Sequence, residues 1–404
     1  MSTAAAPERR EAFRLLFLCL VCTGIGQAML FAILPPAARE IGLTPVQVSI
    51  IFVASASIWV FVSPMWGRRS DIVGRRRIIL IGLLGFAVSM VCLATTLAGA
   101  LGGWLPLPWV WPLLIASRCL FALFGSGTGP ASQAYVADRT EREERTAGVA
   151  MLNAAFASGQ TLGPALGAGL ALVGLLAPIY ASAALAVLSA FMIWLRLPET
   201  PPRHAARKVS PRRIKFTDRR IRPFVLISIL VQAVRSTTTI TLAFFLQDRL
   251  GLDALATGRT AGIGFMVLAV AGLSVQALVV QRLKPAPFPM IVSGQGFALG
   301  GFVFLVLGHE LPMLLIGLGL LGIGLGLSAP GNAAASSLAV AAEEQGAVAG
   351  VTGAIGVVGN IFGPLLGTLL YERFPDGPYL LNGFFMTVGL TFALLHPRVR
   401  KARP

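Results

Sequence analysis

The feature that most limits the fold of this chain is a recurrence. Twelve apolar stretches lie at residues 14–34, 46–65, 78–101, 110–132, 147–172, 177–197, 222–246, 258–280, 289–307, 311–332, 346–370 and 377–396. As a helix rising ~1.5 Å per residue, each has the length to cross a hydrocarbon core of ~30 Å. Hydrophobic residues make up 55% of the chain and charged residues 12%, with a mean hydropathy of +0.78. A soluble domain carries about 25% charged residues. The expected fold is therefore an all-α membrane protein with twelve transmembrane helices.

Charge alone suggests another reading. The 33 Lys and Arg against 17 Asp and Glu give +16, a balance that fits a polyanionic partner. Position decides against it. With the N-terminus in the cytoplasm, 27 of the basic residues fall on the cytoplasmic side, and only Arg39, Arg249, Arg259 and Arg373 on the other. The positive-inside rule then sets both termini in the cytoplasm, with the lipid bilayer and not nucleic acid as the surroundings that the charge serves. Residues 1–34 are expected to be retained as a span. Their apolar run is too long for a secretory signal, and the leader holds Glu8 and Glu11.

The chain also repeats itself. Gly159, Gly163, Pro164 and Gly167 meet Gly359, Gly363, Pro364 and Gly367 at an offset of 200 residues, as Pro130 meets Pro330. Gly-Pro inside a span needs neighbouring helices or water to satisfy the freed carbonyls. Between the copies lies LPETPPRHAARKVSPRRIKFTDRRIRP, which is basic, polar and proline-bearing. The expected organisation is two pseudo-symmetric six-helix halves, 1–196 and 222–404, joined by a cytoplasmic linker at 197–221. Parallel halves of this kind point to transport of a small-molecule substrate held near the membrane midplane.

Several motifs now carry a resemblance. GRRSDIVGRRR at 67–77 contains Gly67, Asp71, Gly74 and Arg75 in the spacing of a loop signature of the major facilitator superfamily. Arg118 with GSGTGPASQAYVADRT at 125–140 is similar to the fourth-helix motif of its tetracycline and multidrug efflux branch, with Phe121 and Ala122 where Gln-Gly is usual. Gly159, Gly163, Pro164 and Gly167 resemble the fifth-helix antiporter motif, and LPET at 197–200 closes the sixth span as in many relatives. The resemblance implies a twelve-span drug:proton antiporter of the bacterial inner membrane, working by alternating access. It implies a latch at Gly67, Asp71, Gly74 and Arg75, and a monomeric chain is expected. Elementary chemistry adds that glycine permits turns and close approach, and that Asp71 can meet a helix N-terminus or pair with Arg75.

Other signals are weaker. Gly317-x-Gly319-x-x-Gly322 lies inside an apolar stretch with no strand before it, so helix packing explains it better than a dinucleotide. Cys19-x-x-Cys22 has no His or acid near it, and His204, His309 and His396 are isolated. No cofactor, metal site or catalytic group is expected, and the chain is not expected to be an enzyme.

All 17 acids lie in loops or near the ends of the apolar stretches, while Arg118 and Arg235 lie well inside. An embedded Arg costs at least ~2.5–3.5 kcal/mol on insertion scales, so each is a functional candidate. Arg235 is 13 residues into its stretch, ~20 Å in, and Arg118 eight residues from the other side, ~12 Å in. Gln27 precedes Arg235 by 208 residues and shares its depth. With Gln232, three residues before Arg235, these form the candidate substrate-binding set: Gln27, Arg118, Gln232 and Arg235. The first stretch lacks the carboxylate that many proton-coupled drug exporters carry there. The reading is therefore an exporter of small amphiphilic compounds. An organic-anion transporter working by exchange or facilitation, and a non-transporting membrane sensor or scaffold, stand as alternatives.

Overall fold

The computed structural model describes residues 6–199, 218–341 and 344–400. Most of the expected linker, with His204, lies outside the described residues. Twelve long helices follow one another, with no strand among the described residues. In the first half they are α1 Ala6–Glu40, α2 Pro45–Val73, α3 Arg75–Leu101, α4 Leu107–Asp138, α5 Arg142–Leu170 and α6 Ala177–Arg196. In the second they are α7 Arg222–Leu250, α8 Ala254–Leu283, α9 Pro287–Leu307, α10 Leu311–Leu338, α11 Gln345–Arg373 and α12 Gly377–Leu395. Among the described residues ten of these are long and apolar enough to cross a membrane by length and composition. The other two, α5 and α11, carry the repeated Gly-Pro motif.

The sequence punctuates these helices in simple ways. Proline stands in the first two positions of α2, α4, α6, α7, α9, α10 and α12, where its missing N–H costs nothing and its fixed φ favours the helix. Thr44 and Gln47 close a capping box on α2: the Thr44 hydroxyl accepts from the Gln47 N–H at 3.2 Å and the Gln47 side chain accepts from the Thr44 N–H at 2.9 Å. α4 is interrupted by a π turn at Phe121–Gly125 and α8 by another at Gln276–Val280.

By packing, the chain divides into two units, residues 1–208 with 253–262, and residues 209–252 with 263–404. Within the first, α1 packs on α5 and α6, and α3 on α4 and α6. Within the second, α7 packs on α11 and α12, and α9 on α10 and α12, so the same order of pairing is repeated.

Small residues make these pairings possible. Lipid is as apolar as leucine, so helices in a membrane associate through close packing and not through release of water. At Gly159 an added Cβ would lie 3.0 Å from the Gly24 Cα and closer still to the Val21 carbonyl oxygen; at Gly163 it would lie 2.6 Å from the Ala28 Cβ. At Gly363 the corresponding distance is 2.9 Å to the Ser236 Cβ, and at Gly367 it is 2.6 Å to the Thr237 Cγ2. Ser236 and Thr237 stand 208 residues after Ala28 and Met29, and Met29 is the residue that Gly167 meets. The two units thus use one seam, α1 on α5 and α7 on α11, in matching register. Gly317 and Gly322 serve α10 in the same way, against the backbone of Gly301 and Leu268.

Glycines on one helix allow a controlled comparison. Gly169 faces open space, whereas Gly163 is hemmed in by Ala28 and Ile25. Gly163→Leu is expected to cost ~1–3 kcal/mol or more through overpacking, lowering the thermal midpoint of the purified protein and its transport rate. Gly169→Leu on the same helix is expected to leave both near wild type. Equal midpoints for the two variants would remove the seam from the account of stability.

Candidate functional site

Three groups of sequence-marked residues can be followed in the structure. The first is at the junction of α2 and α3. The sequence suggests turns at both Gly67 and Gly74, but α2 runs through Gly67 to Val73, and the turn is Gly74 alone, at φ 105°. A Cβ at Gly67 would make only an ordinary contact, 3.6 Å to Pro130. Near the end of α2 the Ser70 hydroxyl donates to the Gly67 carbonyl at 2.7 Å, and Asp71 pairs across Gly74 with Arg75, the first residue of α3. Arg75 is buried, and its Nε also donates to Asp138 at the end of α4, at 3.2 Å. Its Nη1 donates to the Ser70 hydroxyl.

The neighbouring arginine ties in the end of α6. Arg76 donates to the Trp194 carbonyl and lies 4.0 Å from Glu199, whose carboxylate occupies the space a side chain on Gly74 would need. Tyr135 donates to the Pro198 carbonyl at 3.1 Å, with the Arg139 guanidinium 3.9 Å from its ring centre. The junction is therefore braced on two sides. In the second unit Arg220 bridges Asp218 and Glu344 at 2.9 and 2.7 Å, and its hydrogen bonds hold the Asp218 carboxyl below the ordinary carboxylate range.

The second group surrounds Arg118. This side chain is 5% exposed, and its Nε and Nη1 are buried without a hydrogen-bond partner. Instead the guanidinium carbon lies 4.7 Å from the Phe121 ring centre and 5.7 Å from that of Phe52. Phe121 in turn contacts Trp59 and Phe86, each at 5.1 Å, and Phe52 stacks on Phe31 at 4.9 Å. An aromatic cluster drawn from α1, α2, α3 and α4 thus encloses the cation. Ring faces attract a guanidinium but accept no conventional hydrogen bond from it. The π turn begins at Phe121, a backbone irregularity of the kind often found at functional sites. Gln27 is half-buried on α1, and no hydrogen bond among the described residues joins it to Arg118.

The third group is on α7. Gln232 is half-buried, its Cγ 2.5 Å from where a Cβ on Gly359 would sit, and Arg235 is exposed. Arg235 immediately precedes Ser236, as Gln27 immediately precedes Ala28, so the repeated seam makes Gln27 and Arg235 equivalent positions in their own units. Pro164 and Pro364 lie within α5 and α11, and the Thr368 hydroxyl takes up the Pro364 carbonyl at 2.9 Å. Asp138, Glu199 and the aromatic partners of Arg118 have no assigned role in the sequence motifs. For Phe121 the signal is its place three residues after Arg118, one helical turn along the same face. Among the described residues no cluster of His, Cys, Asp or Glu could hold a metal ion.

Two helical units with the same order of pairing, built from long apolar helices, define a polytopic membrane protein. The chain belongs to the Major Facilitator Superfamily, which it matches over residues 16–308 and 280–404. It is similar to Multidrug resistance protein 2 of Bacillus subtilis (strain 168), with 25% identity over 398 residues that cover 96% of each chain. Among solved structures it is similar to a bacterial homologue of the human lysosomal transporter Spinster, with a TM-score of 0.74, 15% identity and 99% of both chains covered. It is also similar to the human organic anion transporter MFSD10 (TETRAN), with a TM-score of 0.63, 22% identity, and 95% of this chain and 99% of that one covered. The fold is that of the superfamily, and the protein is a multi-pass membrane transporter.

Arg75 has two carboxylate partners, which makes its pairing redundant. Asp71→Asn alone is expected to change stability by less than about 1 kcal/mol, because Asp138 still neutralises the cation. Asp138→Asn alone should behave similarly. The double variant leaves a buried guanidinium without a counter-charge, and a loss of ~3–5 kcal/mol is expected. Thermal unfolding of the four proteins checks this. Additive losses would mean that the two carboxylates act independently of Arg75.

Proposed function

We propose that this protein is a secondary active transporter of a bacterial inner membrane, with both termini cytoplasmic. It exports small amphiphilic compounds by alternating access and prefers those bearing an anionic group. The observation that carries the reading is the pair of buried, unpartnered guanidinium nitrogens of Arg118 inside a cluster of aromatic rings. A guanidinium without a counter-ion in a low-dielectric interior is costly, and an arriving carboxylate, sulfonate or phosphate relieves that cost. The rings offer apolar area to the rest of such a molecule. The resemblance to Multidrug resistance protein 2 supports the efflux reading, and the similarity to a protein described as an organic anion transporter supports the sign of the charge.

Gln27, Gln232 and Arg235 complete the proposed substrate-facing set. The junction residues Gly67, Asp71, Gly74 and Arg75 are proposed to hold one of the alternating states. The proton is the proposed coupling ion, on the resemblance to the efflux branch. Collapsing an imposed pH gradient across proteoliposomes is expected to slow transport. Transport that ignores the gradient but quickens when anion is loaded on the far side would replace proton coupling by anion exchange.

The charge preference has its own test. Binding of matched anionic and cationic aromatic compounds is measured for wild type, Arg118→Gln and Arg118→Lys, with thermal unfolding as the control for folding. Arg118→Gln is expected to weaken anion binding roughly 30-fold or more and to leave cation binding nearly unchanged. Arg118→Lys should restore part of the loss, because a point charge does not reproduce the planar fork. Equal losses for both classes of compound would make Arg118 structural and end the anion reading.

A further inference from the structure

The first unit also carries a groove on α2, away from Arg118 and its rings. On α2 the residues Val62, Met65, Trp66 and Arg69 follow one another at intervals of three, one and three, so they share one helical face. That face is one wall of a groove of about 460 Å³, closed on its other sides by residues of α3 and α4, Ile81 and Phe124 among them. The Trp66 indole N–H donates to the Leu123 carbonyl at 2.5 Å and fixes α2 against α4 along the groove. Among the described residues of its own unit this face is left open at Met65, which is 65% exposed, and the neighbouring flank carries Phe61 and Ile72, also exposed. The lining is apolar except for Arg69, and no carboxylate among the described residues pairs with that arginine. Arg68 and Arg77, exposed at the same end, add to the positive charge.

We infer that this groove binds one anionic phospholipid. The apolar stretch from Val62 towards Arg69 accommodates part of an acyl chain, and the Arg69 guanidinium meets the phosphate. The argument is one of complementarity. A plain lipid-facing surface has no need of a concavity, and an arginine that only sets topology has no need to stand on the groove's own face. A cation at the membrane surface attracts an anionic headgroup, and a guanidinium is matched to phosphate oxygens. Arg69 is separate from the Asp71–Arg75–Asp138 cluster, whose contacts fall on other residues. The site is therefore addressable without disturbing the junction.

The test uses the purified full-length protein in detergent, titrated with phosphatidylglycerol or with phosphatidylcholine of identical acyl chains, and read by native mass spectrometry. Wild type is expected to retain at least one phosphatidylglycerol about fivefold more strongly than phosphatidylcholine, the increment that one surface arginine provides. Arg69→Gln should reduce phosphatidylglycerol retention to the phosphatidylcholine level. Met65→Trp, which narrows the groove and leaves every charge in place, should reduce retention of both lipids. Arg282→Gln, at an exposed arginine of the second unit, should leave retention unchanged. Three results would overturn the inference: equal retention of the two lipids by wild type, undiminished phosphatidylglycerol retention by Arg69→Gln, or an equal fall with Arg282→Gln. The last would reduce the effect to overall charge.

Discussion

The bilayer gives no reward for pressing one apolar helix on another, and the rest of this structure depends on how the chain meets that constraint. It does so with residues that lack bulk. Gly24, Gly159 and Gly163 bring the backbones of α1 and α5 together, and Gly359, Gly363 and Gly367 make room on α11 for the Gln232, Ser236 and Thr237 side chains of α7. Contact at that distance recovers dispersion energy that lipid tails cannot supply in equal measure. It also fixes register, because a glycine fits only over the position facing it. That register is what allows Gln27 and Arg235 to be identified as equivalent positions, one residue before Ala28 and one before Ser236.

Much of this was legible in the sequence. Twelve apolar stretches announced twelve helices, because an apolar run of the right length has few other uses. The 200-residue offset of the Gly-Pro motif announced the repeat, because the same seam is built twice. Helix ends were less legible. The apolar stretches end near residues 34 and 65, yet α1 continues through Pro35 and Pro36 to Glu40 and α2 reaches Val73. Hydropathy marks where lipid ends. It does not mark where backbone hydrogen bonding ends, and polar residues such as Ser70 and Asp71 still lie within α2.

The surroundings of Arg118 were the least legible part. The motif marks the arginine, but Phe52, Trp59, Phe86 and Phe121 come from three helices and lie up to 69 residues apart. Nothing local in the sequence announces that aromatic side chains from separate helices will converge. Only Phe121 carried a hint, since it stands where the resembled motif has glutamine and one turn from the arginine it contacts.

Arg75 and Arg118 show how one side chain serves two ends in one fold. Both are buried. Arg75 is met by Asp71, Asp138 and the Ser70 hydroxyl, so its charge is spent within the protein and what it gives is a braced junction. Arg118 is met by rings, which stabilise its charge without saturating its N–H donors. Removing both counter-ions from the first would leave a penalty where none stands now. Supplying one to the second would remove a penalty that the fold already bears. The difference lies in the partners and not in the residue, and it is the second arrangement that leaves binding capacity for a molecule from outside the chain.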